Sequence, residues 1–447
     1  MNIFLRRSLC VIYVVNYSIK TYINITNLKC NMFTLKFVRE NVDLIKKNIE
    51  KRGQLNKLDL VDELLKLDED YLKLLKENQD LRALRNKLTI EINKLRKEGK
   101  DFKLKIKDVK DIPQKISKTD EELDSFRIRI DSILYQLPNL LDKSVGTKNK
   151  IVEKWGEPKK KKTVNHYELA EKLSVLDCET SAKVTGNGFY YLKGSLARLN
   201  MALIQFAIEV LTKKGFIYVE PPLMLRKKVC DSVIDMDFFK EHVYKIEGED
   251  LYLIGTSEHP LIAMYMNEII REKDLPLKLC GYSMCFRKEI GAHGIDEKGI
   301  FRTHQFNKVE QIVICNPSES DKLYEEILKN STFLLKKLKL PYRVVQFGAK
   351  EVGDWKSKYA DIEVWSSRKN DYIETMSCSN LTDFQSRKLG IKVEGHGEVY
   401  YPHTLNNTGI ATSRILVAIL ENNQTTKGTV KVPSVLVPYM GGVKEIK

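Results

Sequence analysis

Six charged residues in the second half of the chain sit where charge is costly. Arg287, Glu289, Arg302, Glu310, Glu374 and Arg414 each lie in or beside an apolar run, as in "MCFRKEI" and "DYIETMSC". Isolated charges rarely enter a fold unless paired or liganded. Paired arginines suit bidentate grip on phosphate oxygens. A strand carboxylate with a nearby hydroxyl, here Glu374 and Ser377, offers the oxygen ligands that Mg²⁺ takes. Internal ion pairs explain any one of the six; the set points to a polyphosphate site. From Phe286 to Glu310 the arginines and carboxylates flank a turn rich in glycine, with Gly291, Gly294 and Gly299. His293 and His304 in this stretch read as structural or loop residues, not as general bases.

Other nucleotide signatures are absent. There is no G-x-x-x-x-G-K-[ST], the "GNG" at 186 lacks the third glycine of a dinucleotide turn, and no serine stands in a nucleophile elbow.

The elements that must hold these residues begin near residue 163. Short β-rich runs ("FYYL", "FIYVEPP", "LYLIGT", "RVVQF", "DIEVWSS", "DYIETMSC") alternate with helical patterns ("SLARLNMALIQFAIEVLTKKG", "SESDKLYEEILKNSTFLLKKL", "ATSRILVAILENN"). Several strands come consecutively, so an α+β fold is expected, an antiparallel sheet with helices on one face.

The first third is different. Leu60, Leu64, Leu67, Tyr71, Leu74, Asn78, Leu81, Arg85, Leu88, Ile92 and Leu95 alternate spacings of four and three, a heptad seam with polar breaks at Asn78 and Arg85. That helix would be about 50 Å long. Ile116, Thr119, Leu123, Phe126, Ile130, Ile133 and Leu137 form a second seam. Between them, Gly99 ends the first helix, and Pro113 is expected to break or kink the second. The result is an antiparallel hairpin with a lysine-rich tip. It reads as a dimerisation arm with a solvated face, or as an arm that grips a nucleic-acid backbone. "PKKKK" then reads as a solvated linker.

The net charge of +15 favours a polyanionic partner, though a lysine-rich composition explains it as well. The eight cysteines, at 10, 30, 178, 230, 280, 285, 315 and 378, form no C-x-x-C pair and no zinc-type cluster, and read as reduced, mostly buried thiols. Residues 1–31 carry basic but no acidic side chains, with an apolar core too short to span a bilayer. They read as a misassigned start ahead of Met32 or as a targeting presequence.

From Met32 to the C-terminus the sequence resembles the class II aminoacyl-tRNA synthetases, and within them the seryl-tRNA synthetase family. "FVRENVDLIKKNIEKRG" and "LRALRNKL" resemble the start and first arm helix of that family. "FYYLKGSLARLNMALIQFAIEVLTKKGFIYVEPP" resembles motif 1, ending at Pro222; the Phe286–Glu310 stretch resembles motif 2; and "TLNNTGIATSRILVAILEN" resembles motif 3. "TSE" at 256, "ETMSCSNLTDFQSRK" and "VPSVLVPYMGG" are serine-type features.

The resemblance implies a catalytic domain over 166–447, a linker over 151–165, a tRNA-binding coiled-coil arm domain over 32–150 and an extension over 1–31. It implies that Arg287 and Arg414 are catalytic, on the α- and γ-phosphates of ATP. It places Lys288, Glu289, Arg302, Thr303, Phe306, Glu374, Thr375, Met376 and Ser377 around the nucleotide, with Glu374 and Ser377 on Mg²⁺. Thr256, Ser257, Glu258, Glu310, Asn406 and Thr408 would contact serine. The implied partners are tRNA(Ser), through its long variable arm and acceptor end, and a second copy of the chain through motif 1. tRNA(Sec) would be charged where it exists. No zinc and no membrane are expected, and the implied location is the cytoplasm, with organelle targeting by residues 1–31 left open. Against this stand a different class II synthetase, a paralogue that binds tRNA without charging it, and a basic coiled-coil binder with an inert globular domain. The presence of Arg287, Arg414 and the arm, and the absence of an appended anticodon-binding domain, weigh against them.

Overall fold

A computed structural model describes residues 33–160, 163–233, 242–289 and 299–447. The extension over 1–31, and His293, Gly291 and Gly294 of the motif 2 turn, lie outside the described residues. The chain divides into two compact units, one holding Glu63–Tyr135 and the other Leu35–Asp62 with Gln136–Lys447.

The first unit is built on the helices Leu58–Lys97, Lys103–Val109 and Ile112–Gln136. Leu58–Lys97 has 40 residues, a length of about 60 Å at helical rise. Leu88, Ile112 and Ile116 are buried together, with Leu81 and Val109 against them. The polar breaks are matched across the seam. Asn78 Nδ2 donates to Thr119 Oγ1 at 2.6 Å and to Asp120 Oδ1 at 2.9 Å, and Arg82 forks onto both Asp120 oxygens. A buried polar pair of this kind costs stability but fixes register, because any slip leaves it unpaired against leucine. Gly99 adopts φ +67 just past the first helix, as its position predicts.

Pro113 does not break the second helix. The interruption falls at Lys110–Asp111, and Pro113 stands in the first turn of Ile112–Gln136. There proline's missing N–H is no loss, and its fixed φ suits helix entry.

Helices Leu35–Glu40 and Val42–Arg52, assigned from sequence to the arm domain, belong to the second unit. Arg52 is buried and donates to the carbonyls of Asn139, Val352 and Lys356 at 2.7–2.8 Å. The supposed linker also contributes structure. Its first residues form a strand, Lys150–Trp155, at the edge of the main sheet. Lys150, Glu153 and Lys154 hide this strand in the sequence; an edge strand tolerates such charges because one side meets water.

The main sheet has eight strands: β1 Lys150–Trp155, β2 Ile217–Val219, β3 Leu277–Phe286, β4 Gln305–Cys315, β5 Tyr342–Gln346, β6 Lys358–Ser366, β7 Asp371–Asn380 and β8 His403–Ala411. Their order is β1-β5-β6-β7-β8-β4-β3-β2, antiparallel throughout except that β2 runs parallel to β3. Three long helices, Gly194–Lys213, Ser320–Leu338 and Thr412–Asn422, bury Leu199, Leu203, Leu334, Leu335, Ile415 and Ile419 against one face. The first is long and apolar enough to cross a bilayer by composition, and here that apolar surface is core.

The sheet is covered on its second face as well, in part. Short helices Glu258–Ala263 and Phe384–Leu389 set Leu261, Ile262 and Leu389 against Leu279, Ile312 and Ile314. The period of two along β4 therefore sorts its residues. Val309, Val313 and Cys315 face the long helices, while Lys308, Glu310, Ile312 and Ile314 take the other side. Of the eight cysteines, Cys230, Cys280, Cys285, Cys315 and Cys378 are buried and free, Cys178 is free and half-buried, and Cys10 and Cys30 lie outside the described residues.

Candidate active site

The second face of the sheet, beside the short helices, holds two adjoining cavities. Both are walled by Arg287, Lys308, Glu374 and Ser377. The first adds Glu289, Phe301, Arg302, Thr303, Phe306, Thr375, Met376, Thr408, Ala411, Ser413 and Arg414. The second adds Thr256, Glu258, His259, Trp355, Lys356, Tyr359, Ser379 and Asn406.

Two bulges make this convergence possible. Glu374 and Ser377 are three apart, so in a regular strand they would point to opposite faces. Across β6 and β7, Ile362 pairs with Met376 and Glu363 pairs with Glu374, which leaves Thr375 as an extra residue. Ile373 and Met376 then both enter the core, and Glu374 and Ser377 share the site face. The Thr375 hydroxyl closes the bulge by donating to the Ile362 carbonyl at 3.0 Å.

Along β8 the same device turns on Gly409. Thr408 pairs with Glu310 and Ile410 with Val309, so Gly409 is extra. A Cβ there would stand 3.1 Å from the Val309 carbonyl oxygen and 3.2 Å from Leu211. Asn406 and Thr408 thus face the site while Leu405 and Ile410 stay in the core. Ser331 donates to the Thr408 carbonyl at 2.7 Å and accepts from Gln311 and Asn407, a buried polar knot that anchors this strand.

The cationic side chains are held in place. Arg287 Nε donates to the Gly255 carbonyl at 3.2 Å, and its guanidinium lies 5.2 Å from the Phe306 ring centre. Arg302 approaches Glu289 at 3.7 Å. Arg414 reaches Glu374 twice, at 3.1 Å to the carboxylate and 3.0 Å to the backbone carbonyl, and covers the Phe301 ring. Glu258 accepts from Gln385 Nε2 at 2.8 Å.

Burial raises the Glu310 carboxyl to about 7, with Lys308 the main opposing influence. Burial lowers His259 to about 4, so its buried ring is neutral at pH 7, and lowers Lys356 to about 8. Burial, and then Glu374, raise Asp361, which pairs with Ser377 across the strands.

Three residues expected at the site do not line it: Glu310, whose buried carboxylate is paired with Lys308 and stands in neither cavity wall, Ser257 and Lys288. The Ser257 hydroxyl is fully buried and spent on the Gly281 carbonyl at 2.9 Å. The Lys288 ammonium lies 5.9 Å from the Tyr244 ring centre, outside both cavity walls. His304 is structural, as expected: its Nδ1 is 2.8 Å from the Tyr244 hydroxyl, and its ring stacks on Phe189.

Among the lining residues that sequence reasoning missed are Lys308, His259, Trp355, Lys356 and Tyr359. For Lys308 a signal existed, since it stands two before Glu310 and so shares its face. For Trp355, Lys356 and Tyr359 none did, because their segment reaches the site only through the fold.

The contact under helix Glu258–Ala263 is testable. A Cβ on Gly281 would lie 2.6 Å from Leu261 Cδ1, and Leu261 is fully buried. Gly281→Ala is expected to destabilise the protein by about 1–3 kcal/mol. It will also displace Ser257 and Glu258. A thermal melt reads the first effect, and the KM of the ligand bound in the cavity that Glu258 lines, which rises, the second.

The sheet, the bulges and the arginine-flanked cavity define a class II aminoacyl-tRNA synthetase core. Residues 241–423 match the family model "tRNA synthetase class II core domain (G, H, P, S and T)", and residues 32–141 match "Seryl-tRNA synthetase N-terminal domain". A curated serine–tRNA ligase of Methanocella arvoryzae is 46% identical over 423 residues, spanning 92% of this chain and 100% of the relative. The crystal structure of seryl-tRNA synthetase from Pyrococcus horikoshii complexed with ATP aligns with TM-score 0.88 and 41% identity, over 93% of this chain and 99% of that one. A cytoplasmic serine–tRNA ligase from Naegleria fowleri in complex with AMP gives TM-score 0.86 and 33% identity, over 93% and 98%. This chain belongs to the seryl-tRNA synthetase family.

Proposed function

We propose that the chain couples serine to tRNA in two steps at these adjoining cavities. Serine's carboxylate first attacks the α-phosphate of ATP, forming seryl-adenylate and releasing pyrophosphate. The terminal adenosine of tRNA(Ser), and of tRNA(Sec) where present, then takes the seryl group. The observation that carries this reading is the shared wall of Arg287, Lys308, Glu374 and Ser377 between the two cavities. A carboxylate in one cavity can there meet a phosphate in the other.

In this reading ATP occupies the cavity of Arg287, Arg302, Phe306 and Arg414. Phe306 stacks on adenine, with Glu289 and Thr303 beside the nucleotide. Arg287 neutralises charge on the α-phosphate, and Arg414 holds the γ-phosphate. Serine occupies the cavity of Thr256, Glu258 and Asn406, against Glu310 and Thr408. The carboxylate nucleophile is ionised at neutral pH and needs no base. Catalysis is therefore positioning and charge stabilisation.

Glu374 and Ser377 would hold Mg²⁺: the bulge sets two oxygen donors on one face, a set that suits a hard cation completed by water and phosphate. The ion would supply charge neutralisation on the phosphates. Arg414, 3.1 Å from Glu374, fixes that carboxylate in place.

The arm grips the long variable arm of the tRNA through the lysines around Lys103–Val109. A homodimer forms through motif 1, whose edge strand β2 leaves Ile217 63% exposed. The enzyme works in the cytoplasm.

ATP–pyrophosphate exchange tests the reading: serine alone among the amino acids is expected to stimulate it. Thr408→Ala removes a substrate contact, and is expected to raise the serine KM about 10-fold with a smaller loss of kcat. Steady-state exchange across serine concentrations measures both. An unchanged KM would remove Thr408 from the serine contacts.

A further inference from the structure

Lys308 has no role in the chemistry above, yet its ammonium stands at the wall common to both cavities. Its Nζ lies 2.5 Å from Glu310 Oε2 and donates to Thr256 Oγ1 at 3.3 Å. The two side chains are 9% and 1% exposed. In the proposed reading both contacts are residues that touch the amino acid.

The groups around Glu310 come from several elements. Lys308 shares its strand. Glu258 faces it from helix Glu258–Ala263, Arg287 and Cys285 from the end of β3, and Cys378 from β7. Thr408 is its cross-strand partner. Arg287 is turned to the Gly255 carbonyl and the Phe306 ring, which leaves Lys308, among the described residues, as the cation in direct contact with the carboxylate. A carboxylate this deep, without a counter-ion, takes up a proton and can no longer receive a substrate ammonium group.

We propose that Lys308 is a positioning residue for the amino acid. It keeps Glu310 ionised and fixed between Thr256 and Thr408 until the substrate's own ammonium group replaces it as counter-ion. The lysine is then free to turn toward the substrate carboxylate at the junction of the cavities. The proposal rests on the reading that Glu310 contacts serine.

The consequence is a pH dependence whose sign follows from the site. Glu310 sits at about 7, and its ionised form binds the substrate. The serine KM of the wild-type enzyme is therefore high below that pH and falls as pH rises through it. Removing the lysine's charge raises the Glu310 pKa further, so the same fall moves to higher pH.

The experiment measures serine KM and kcat of ATP–pyrophosphate exchange between about pH 6 and pH 8.5. It uses the wild-type enzyme, Lys308→Met, Lys308→Arg and the double variant Glu310→Gln/Lys308→Met. Lys308→Met is expected to raise the serine KM about 10-fold at pH 7, with kcat changed about threefold or less. Its KM profile is expected to shift upward by about 1.3 pH units, the displacement that corresponds to that factor at pH 7 for a group at about 7. Lys308→Arg restores the wild-type profile, and the double variant shows no pH-dependent fall. A wild-type KM that is flat across the range overturns the proposal without any variant having to fold. So does a Lys308→Met profile that coincides with the wild type. Absence of serine-dependent exchange in the wild-type enzyme would instead overturn the activity itself.

Discussion

Replacing Arg287 by alanine will cut the rate constant of adenylate formation by about two orders of magnitude, a loss of roughly 3 kcal/mol, while the serine KM moves far less. The guanidinium stands on the wall shared by the two cavities. A group there gains most when charge shifts from the attacked α-phosphate toward pyrophosphate, which happens only as the bond breaks. Its position is also prepaid. The Gly255 carbonyl and the Phe306 ring already hold it, so little reorganisation accompanies the reaction. Single-turnover adenylation, which separates chemistry from product release, is the measurement. A near-normal rate constant in a folded Arg287→Ala enzyme would remove the α-phosphate assignment.

Removing Glu63–Tyr135, replaced by a short glycine-rich turn, will abolish tRNA charging at ordinary tRNA concentrations and leave serine-dependent pyrophosphate exchange close to wild type. The residues of that unit hold to one another through the matched seams and Asn78–Thr119. Both cavities are lined by residues of the other unit. On the proposed reading, in which the lysines at the hairpin tip hold a phosphate backbone, charging by the intact enzyme will weaken as salt rises. Comparing exchange with charging on the same preparation decides the matter. Equal loss of both in a folded deletion would mean that the arm serves the adenylation site directly.

The deletion spares Leu35–Asp62, because Arg52 anchors those helices to the segment that carries Trp355 and Lys356 into the second cavity. The family resemblance had placed them in the arm domain. A helical pattern reports which face is apolar, and leaves open which partner covers it.

Much of this protein was legible residue by residue. The heptads around Leu74, Leu81 and Leu88 declared two packed helices because a 3.5-residue repeat is a local property. The helices Gly194–Lys213, Ser320–Leu338 and Thr412–Asn422 and the strands β2, β5, β6 and β7 appeared where apolar patterns and turn residues placed them, whereas β3, β4 and β8 were not among the runs so read. Charges in apolar runs pointed to Arg287, Glu310, Glu374 and Arg414, since burial of charge demands a reason. The motifs around them supplied the family. Tertiary structure decided the rest. Glu374 and Ser377 share a face only because Thr375 bulges, and a bulge depends on the neighbouring strand's register, which leaves no mark of its own in the sequence. The strand Lys150–Trp155 exists because β5 offers it an edge. Pro113 became a helix start because the chain turned two residues earlier. Lys308 looked like one more lysine among many until the fold buried it 2.5 Å from Glu310. Burial sets the energy of a charge, and burial is a property of the assembled chain, fixed by residues far apart in sequence.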